Sequence, residues 1–189
     1  MSCMAKTYSR STNQPNSPND RPMGNLADIF AKPTPSSTTH QDIEKLIVAL
    51  GVARAFSNIP DVKKLIQKIQ HKLFGLKFML QNKIDPSTIA ALGAINASDV
   101  QGLMNCIAYF NVGISPTLKQ LVPGQNKASS LMRLACLESQ QVQAVTKELA
   151  NQDSNYSVIN DFISHLTHLL QVLERKELQF ANMEEDHWD

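Results

Sequence analysis

Two segments of this sequence carry residue types that could bind an anion. The first, KTYSRSTN at residues 6–13, places Arg10 among the hydroxyl groups of Ser9, Ser11 and Thr12. A guanidinium among hydroxyl donors can hold a phosphate through charge-assisted hydrogen bonds. Solvated polar tails share this composition, so the segment by itself identifies no ligand. The chain has neither a Walker-type glycine loop nor a Gly-x-Gly-x-x-Gly fingerprint.

The second segment, LVPGQNKASSLMRLACLESQQVQAV at residues 121–145, joins a Pro-Gly loop to a predicted helix with almost no charge. A loop that leads into a helix N-terminus can hold an anion. Between Arg133 and Lys147, however, the only ionisable side chains are Cys136 and Glu138. A mid-helix cysteine among leucines is typical of packing rather than of a nucleophile. The segment therefore has the outline of an anion site without the charges that such a site needs.

A metal site would need more ligands than the sequence brings together. His165 and His168 are three residues apart on a predicted helix, a spacing that can bind one metal ion. Two imidazoles alone make an incomplete metal site, so we predict that these two histidines are ordinary residues on the face of a helix and bind no metal. The cysteines Cys3, Cys106 and Cys136 are too far apart in the sequence for a zinc knuckle or a redox pair. We therefore predict no metal site.

The composition excludes several classes of partner. The formal net charge of +1 gives no general attraction to nucleic acid or to an anionic membrane. No apolar run approaches the ~20 residues of a membrane span. The N-terminus lacks a secretory apolar region, and an odd number of cysteines favours a reducing compartment. We predict a cytoplasmic protein, with the mitochondrial matrix as the alternative because basic and hydroxyl residues are frequent near the N-terminus.

Five predicted helices must position these residues. Apolar residues recur at helical spacing from residue 39 onwards, and no segment alternates with the period of a strand. Thr38 or Thr39 is expected to cap the first helix and Ser98 the third, while Pro60 opens the second. The residues expected on the inner faces are Ile43, Leu46, Ile47, Leu50 and Ala53; Val62, Ile66, Ile69, Leu73, Leu76 and Leu80; Val100, Leu103, Ile107 and Phe110 or Ile114; and Ile159, Phe162, Ile163, Leu166, Leu169, Leu170 and Leu173.

These patterns predict an all-α five-helix bundle preceded by an extended N-terminal arm. Residues 1–38, rich in Pro, Ser, Thr and Asn, form the flexible arm because they cannot bury enough apolar surface to fold alone. Residues 39–180 form the helical bundle domain. Residues 181–189 form an acidic C-terminal tail, which we expect to be loosely held.

Five segments, taken in chain order, share one pattern. They are YSRSTN after Lys6, IEKLIVALG in the first helix, IQHKLFGL at 69–76, QLVPGQ at 120–125 and LTHLLQVLER at 166–175. Together they resemble the ATP:cob(I)alamin adenosyltransferases of the propanediol-utilisation type, over about residues 6–178. The family's Ile-Gln-x-x-Leu-Phe-x-Leu pattern is matched in full by the second-helix segment, and its Phe-Ile-Leu-Pro-Gly-Gly loop is matched in part.

The resemblance implies a five-helix bundle that acts as a homotrimer. It implies ATP with Mg²⁺ and cobalamin as ligands, and transfer of the 5′-deoxyadenosyl group from ATP to Co(I) with release of triphosphate. The family's arm wraps ATP, so the resemblance assigns nucleotide binding to Lys6, Tyr8, Ser9, Arg10 and Asn13.

Several pocket positions depart from the family. Gln120 stands where the family has an aromatic residue that helps displace the lower ligand of the corrin, and Cys136 aligns with a salt-bridging Arg. The complete set of departing positions is Glu44, Gln120, Cys136, Gln140, Gln141, Gln143, Ser164 and His168. A glutamine donates hydrogen bonds but carries no charge, and losing one preorganised donor typically costs ~10²-fold in rate.

Three hypotheses follow. The first is a divergent family member with impaired or lost adenosyl transfer that still binds a nucleotide, a corrinoid or a protein partner. The second is an active adenosyltransferase whose basic residues come from elsewhere, such as Lys6, Arg10, Lys127 or Arg133. The third is an unrelated helical scaffold or interaction protein whose resemblance reflects bundle periodicity alone.

Overall fold

The computed structural model describes residues 35–82, 95–117 and 119–188, and their fold is helical. The elements are α1 (Pro35–Phe56), α2 (Pro60–Gln81), α3 (Ala97–Phe110), β1 (Gln120–Leu121), α4 (Lys127–Gln152), a 3-10 turn (Ser154–Tyr156), α5 (Ser157–Phe180) and β2 (His187–Trp188). The prediction of an all-α fold with five helices is confirmed. Of the predicted arm, residues 1–34 lie outside the described residues.

Two predicted helix caps are wrong. Helix α1 begins at Pro35, so Thr39 lies inside the helix, where it is 2% exposed. Pro at a helix start costs no intrahelical hydrogen bond, which explains the earlier beginning. In α3 the cap is Asn96 rather than Ser98, and the Asn96 side chain accepts hydrogen bonds from the backbone amides of Ser98 and Asp99. Asp99 accepts from the Asn96 amide in return, which completes a capping box.

The core contains most of the residues that helical spacing predicts. Every predicted inner residue of α1 and α5 is buried. In α2, Met79 is buried where Leu80 is only half-buried, because a helix turns by 3.6 residues and drifts away from a strict heptad. In α3, Leu103 and Phe110 are buried, and the other predicted positions pack partly against the core.

Helix α5 lies against both α3 and α4, and α4 also packs on α1. Small side chains let α4 and α5 approach closely, since the Ser139 and Thr167 hydroxyls lie 2.8 Å apart in the buried interface. At the far end of α5, buried Glu177 accepts hydrogen bonds from the Ser57 hydroxyl and, at 3.4 Å, from the Asn58 amide. This carboxylate ties the α1–α2 loop to α5.

The C-terminal tail is not loosely held, contrary to expectation. Its strand β2 pairs antiparallel with β1, with Gln120 opposite Trp188 and Leu121 opposite His187. The Arg175 guanidinium of α5 donates to both carboxylate oxygens of Glu185, with Nε–Oε1 at 2.6 Å and Nη2–Oε2 at 2.9 Å. Strands of two residues leave too little sequence for an alternating pattern, so the sequence does not predict them.

No helix in the described part of the chain is both long enough and apolar enough to cross a lipid bilayer.

Candidate functional site

A cavity of about 300 Å³ lies between the loop that precedes α4 and the facing sides of α4 and α5. Its polar lining comes from three parts of the chain, and the residues that matter for its chemistry are Lys119, Gln120, Arg133, His168, Glu174 and Arg175. The loop turns at Gly124, whose φ of 125° lies in a region that favours glycine. We call this space the site cavity.

The charged centre of the site cavity is the pair Arg133 and Glu174. Arg133 Nη1 lies 3.6 Å from Glu174 Oε2, and the Glu174 residue is 2% exposed. Burial raises the pKa of Glu174 to about 7, although the charge of Arg133 acts in the opposite direction. Glu174 Oε1 is buried and has no hydrogen-bond partner within the described part of the chain. Near neutral pH the carboxyl can therefore either donate or accept a proton.

Cys136 lies under this pair as a packing residue. It is fully buried, and its thiol donates a hydrogen bond to the Thr167 carbonyl oxygen at 3.7 Å. Burial raises the pKa of Cys136 to about 11, despite the opposing charge of Arg133. A neutral, inaccessible thiol is neither a nucleophile nor a cation at physiological pH.

The tail lies next to the outer wall of the site cavity, where it contacts residues of the lining. Gln120 lines the cavity and pairs with Trp188, which is 73% exposed. Residues directly opposite in an antiparallel pair project to the same face of the sheet. The Arg175 guanidinium, already held by Glu185, also donates to the Ser115 carbonyl oxygen at 2.6 Å. Helix α5 thus fixes both the tail and the segment after α3 at the rim.

The structure brings together only part of the predicted site. Gln120 and His168 line the cavity, and Cys136 packs beneath it. Ser164, one turn before His168 on α5, is half-buried outside the lining. The remaining glutamines lie on α4 outside the lining, with Gln140 and Gln141 exposed and Gln143 half-buried.

Glu44 is engaged elsewhere, because its carboxylate forms an ion pair with Lys77 of α2 at 3.0 Å. The residues assigned to the nucleotide by resemblance, Lys6, Tyr8, Ser9, Arg10 and Asn13, lie outside the described residues. Of the alternative cations, Arg133 lines the cavity, whereas Lys127 is exposed at the start of α4.

Sequence reasoning missed Glu174 and Arg175 as site residues. The signal for Glu174 was present, because it continues the apolar seam of α5 from Leu166 and Leu170 at helical spacing. An acid on a buried face indicates a pocket or a partner. Arg175 ends the family-like segment at residues 166–175, but nothing in the sequence indicates its pairing with Glu185, which lies in a tail without helical or strand periodicity.

The described residues contain no group of three His, Cys, Asp or Glu side chains that could hold a metal ion. His165 instead places its ring Nδ1 2.8 Å from the backbone carbonyl oxygen of Asp161.

The start of α4 offers a first test. Asn126 caps this helix, and its side chain accepts a hydrogen bond from the Ala128 amide at 2.7 Å. We expect Asn126→Ala to lower the free energy of unfolding by about 1 kcal/mol, because a helix N–H loses its partner. Urea denaturation measures this loss. Asn126→Asp keeps an acceptor and should remain close to wild type; equal losses in both variants would contradict a capping role.

Comparison with known proteins places this geometry in context. The sequence profile described as Cobalamin adenosyltransferase matches residues 24–177. No curated protein sequence matches the chain.

Three similar solved structures are variants of one enzyme, the PduO-type ATP:corrinoid adenosyltransferase from Lactobacillus reuteri. A Phe-to-Ala variant complexed with cobalamin and ATP has a TM-score of 0.71 at 15% identity, covering 83% of this chain and 87% of that chain. A Phe-to-His variant with the same ligands has a TM-score of 0.67 at 13% identity, covering 82% and 84%. An Arg-to-Lys variant complexed with ATP has a TM-score of 0.67 at 15% identity, covering 84% and 89%.

At these identities the solved structures establish the fold, which is that of the helical adenosyltransferases. The profile match spans most of the 189 residues, including all five described helices except the last three residues of α5. The chain therefore belongs to the cobalamin adenosyltransferase family.

Proposed function

We propose that this protein is a divergent member of the family that binds corrinoid and nucleotide but transfers the adenosyl group poorly or not at all. The observation that carries the proposal is Cys136. The resemblance aligns this position with a salt-bridging arginine, and here it holds a neutral, fully buried thiol. Release of triphosphate requires fixed positive charge near the leaving group, and a thiol supplies none.

The two arginines that line the site cavity support the same proposal. Arg133 is paired with Glu174, and Arg175 is held by Glu185 and the Ser115 carbonyl oxygen. A guanidinium neutralised by a carboxylate offers less net charge to a phosphate than a free one. Further positive charge could come from Lys119, which also lines the site cavity, or from the arm, where the resemblance assigns Lys6 and Arg10 to ATP.

The lining of the site cavity also contains groups that suit part of a corrinoid. Corrin side chains end in amides, and Gln120, Gln171 and Glu174 supply amide and carboxyl groups that can exchange hydrogen bonds with them. The unpartnered Glu174 Oε1 is a buried acceptor at this wall. A bound cobalamin would supply the Co(I) nucleophile, and these residues would orient the corrin.

The test is a spectroscopic titration of the protein with cob(II)alamin in the presence and absence of Mg-ATP, repeated anaerobically with a reductant. We expect the corrin spectrum to shift on binding and adenosylcobalamin formation to stay at the uncatalysed level. Multiple turnovers would support the alternative of an active adenosyltransferase whose charges come from Arg133 or the arm. The absence of any spectral shift would contradict corrinoid binding.

We further propose that the protein is a homotrimer in the cytoplasm, with the mitochondrial matrix as the alternative location. Support for the trimer comes from the resemblance and from exposed apolar side chains such as Phe74 and Phe78 on α2, which a subunit interface could cover. Multi-angle light scattering measures the oligomeric mass; a monomer at micromolar concentration would contradict the trimer. A further protein partner would use the same kind of apolar surface.

A further inference from the structure

A second, larger cavity lies elsewhere on the bundle. It has a volume of about 500 Å³, within the range of small-molecule sites, and lies between α2, α3 and the first half of α5. Its apolar floor consists of Leu65, Ile69, Leu103 and Phe162, of which the last three are almost completely buried. None of its described lining residues lines the site cavity. We call it the α2–α3 groove.

One rim of the α2–α3 groove is basic. Lys68, His71 and Lys72 all project from α2 along this rim. Lys72 is paired with Asp99 of α3 at 3.0 Å, and this pair joins the two helices across the groove. Lys68 forms no ion pair within the described part of the chain. A ligand entering here would therefore meet apolar carbon on the floor and an uncompensated ammonium at the rim.

The charge of Lys68 reaches into the groove. Cys106 of α3 is half-buried in the lining, and although burial raises the pKa of its thiol, the nearby Lys68 ammonium lowers it. The thiol and the ammonium are therefore close enough to interact electrostatically. A negative head group beside Lys68 would sit next to Cys106 and shield it.

Helix α3 contributes a glycine to the wall of the groove. Gly102 lines the groove, and a Cβ added to it would meet no atom within 4 Å. Glycine in a helix interior costs roughly 1 kcal/mol relative to alanine, so helix formation does not account for this residue. Its absence of a side chain leaves room that a ligand can use.

We propose that the α2–α3 groove binds an amphipathic carboxylate with a single linear aliphatic chain, with the chain on the apolar floor and the carboxylate beside Lys68. Charge complementarity selects the anion, because the ammonium of Lys68 lies at the rim and the one acidic residue of the described lining, Asp99, is paired with Lys72. The apolar floor selects a chain over a compact anion. A space of this size accommodates one chain rather than the two chains of a membrane phospholipid.

The test uses decanoate as the probe and the full-length protein. Isothermal titration calorimetry should give saturable binding of decanoate and at least about tenfold weaker binding of decanol, decylamine and acetate, since each lacks one of the two features. Equal affinities for decanoate and decylamine would overturn the assignment of the head group. Equal affinities for decanoate and acetate would overturn the assignment of the chain.

Two pairs of variants locate the site. Gly102→Leu adds a side chain to the lining at a position where a Cβ meets no atom within 4 Å, and it should weaken decanoate binding at least about tenfold. The matched control is Gly75→Leu on α2, where a Cβ also meets no atom within 4 Å; it lies outside the described lining and should leave the affinity unchanged. Lys68→Glu should weaken the binding of decanoate about tenfold. Lys64 is exposed one turn earlier on the same helix, and Lys64→Glu should leave the affinity unchanged. Unchanged affinity in Gly102→Leu, with the helical fold retained by circular dichroism, would overturn the proposal.

The rate at which Cys106 is alkylated gives a second measure of decanoate binding that is independent of calorimetry. In a Cys3→Ser variant, Cys106 is the accessible thiol, because Cys136 is fully buried. Saturating decanoate should slow alkylation of Cys106 severalfold in the parent and have no effect in Gly102→Leu. Alkylation at the same rate with and without decanoate would overturn the placement. Protection of Cys106 that occurs without decanoate and increases with protein concentration would also overturn the proposal, because a second copy of the chain would then cover the groove.

Discussion

Cys136→Arg, which restores the residue found at the aligned position in the family, is expected to destabilise the protein rather than to restore adenosyl transfer. Cys136 is fully buried against α5, and its thiol contacts the Thr167 carbonyl oxygen. An arginine here adds five heavy atoms and a positive charge to a fully buried position that already lies within the field of the Arg133 charge. We expect the free energy of unfolding to fall by about 3–5 kcal/mol.

Urea denaturation followed by circular dichroism measures this change, and anaerobic assay of adenosylcobalamin measures activity. Cys136→Ala is the matched control, because it removes only the sulfur and should cost about 1 kcal/mol. A Cys136→Arg protein as stable as wild type would show that position 136 can reach the site cavity. Gain of turnover in that variant would show that one missing charge explains the proposed loss of activity.

Glu174→Gln is expected to stabilise the protein at alkaline pH and to leave it nearly unchanged in acid. The pKa of this buried carboxyl is raised from 4.5 to about 7, so the folded state binds more protons than the unfolded state between these values. Stability therefore falls as the pH rises from about 4.5 to 7, and the full penalty persists above that range. At ~1.4 kcal/mol per pH unit, the penalty at pH 8 is at most about 3.5 kcal/mol.

The measurement is the difference in unfolding free energy between Glu174→Gln and wild type at pH 5 and at pH 8. We expect it to grow from under about 1 kcal/mol to about 2–3 kcal/mol. The substitution also removes the ion pair between Arg133 and Glu174. This reduces the stabilisation only modestly, because the Arg133 side chain is 22% exposed and keeps contact with water. Glu148→Gln, exposed on α4, should change stability by under about 0.5 kcal/mol at either pH. A pH-independent difference for Glu174→Gln would contradict the raised pKa.

The sequence predicts the helices well because their apolar faces repeat over several turns. On α5, all seven predicted inner residues from Ile159 to Leu173 are buried. The caps are predicted less well, since Asn96 and Ser98 are both good cap residues and only backbone geometry decides between them. A proline at position 35 likewise permits an earlier start that the apolar pattern of α1 cannot reveal.

The site cavity is predicted only in part, for a physical reason. The positions that the resemblance supplies, such as Gln120 and His168, do line it. The contacts that shape it join residues far apart in sequence, such as Arg133 with Glu174 and Arg175 with Glu185. Each of these side chains is ordinary in its own helix or tail, and their meeting depends on how α4, α5 and the tail pack. Local periodicity carries no information about such pairings.

The pairing of β1 with β2 has a consequence for the dynamics of the loop that precedes α4. The Val122 amide donates to the Asp186 carbonyl oxygen at 2.8 Å, and Glu185 next to it is bound to Arg175. The loop cannot separate from the tail without breaking these bonds together, so residues 120–122 and 185–188 should form one cooperative opening unit. In hydrogen exchange, the Val122 amide would then report the opening of the tail. Because Gln120 and Leu121 line the site cavity, this part of its wall would move freely only after residues 187–188 have separated from the loop.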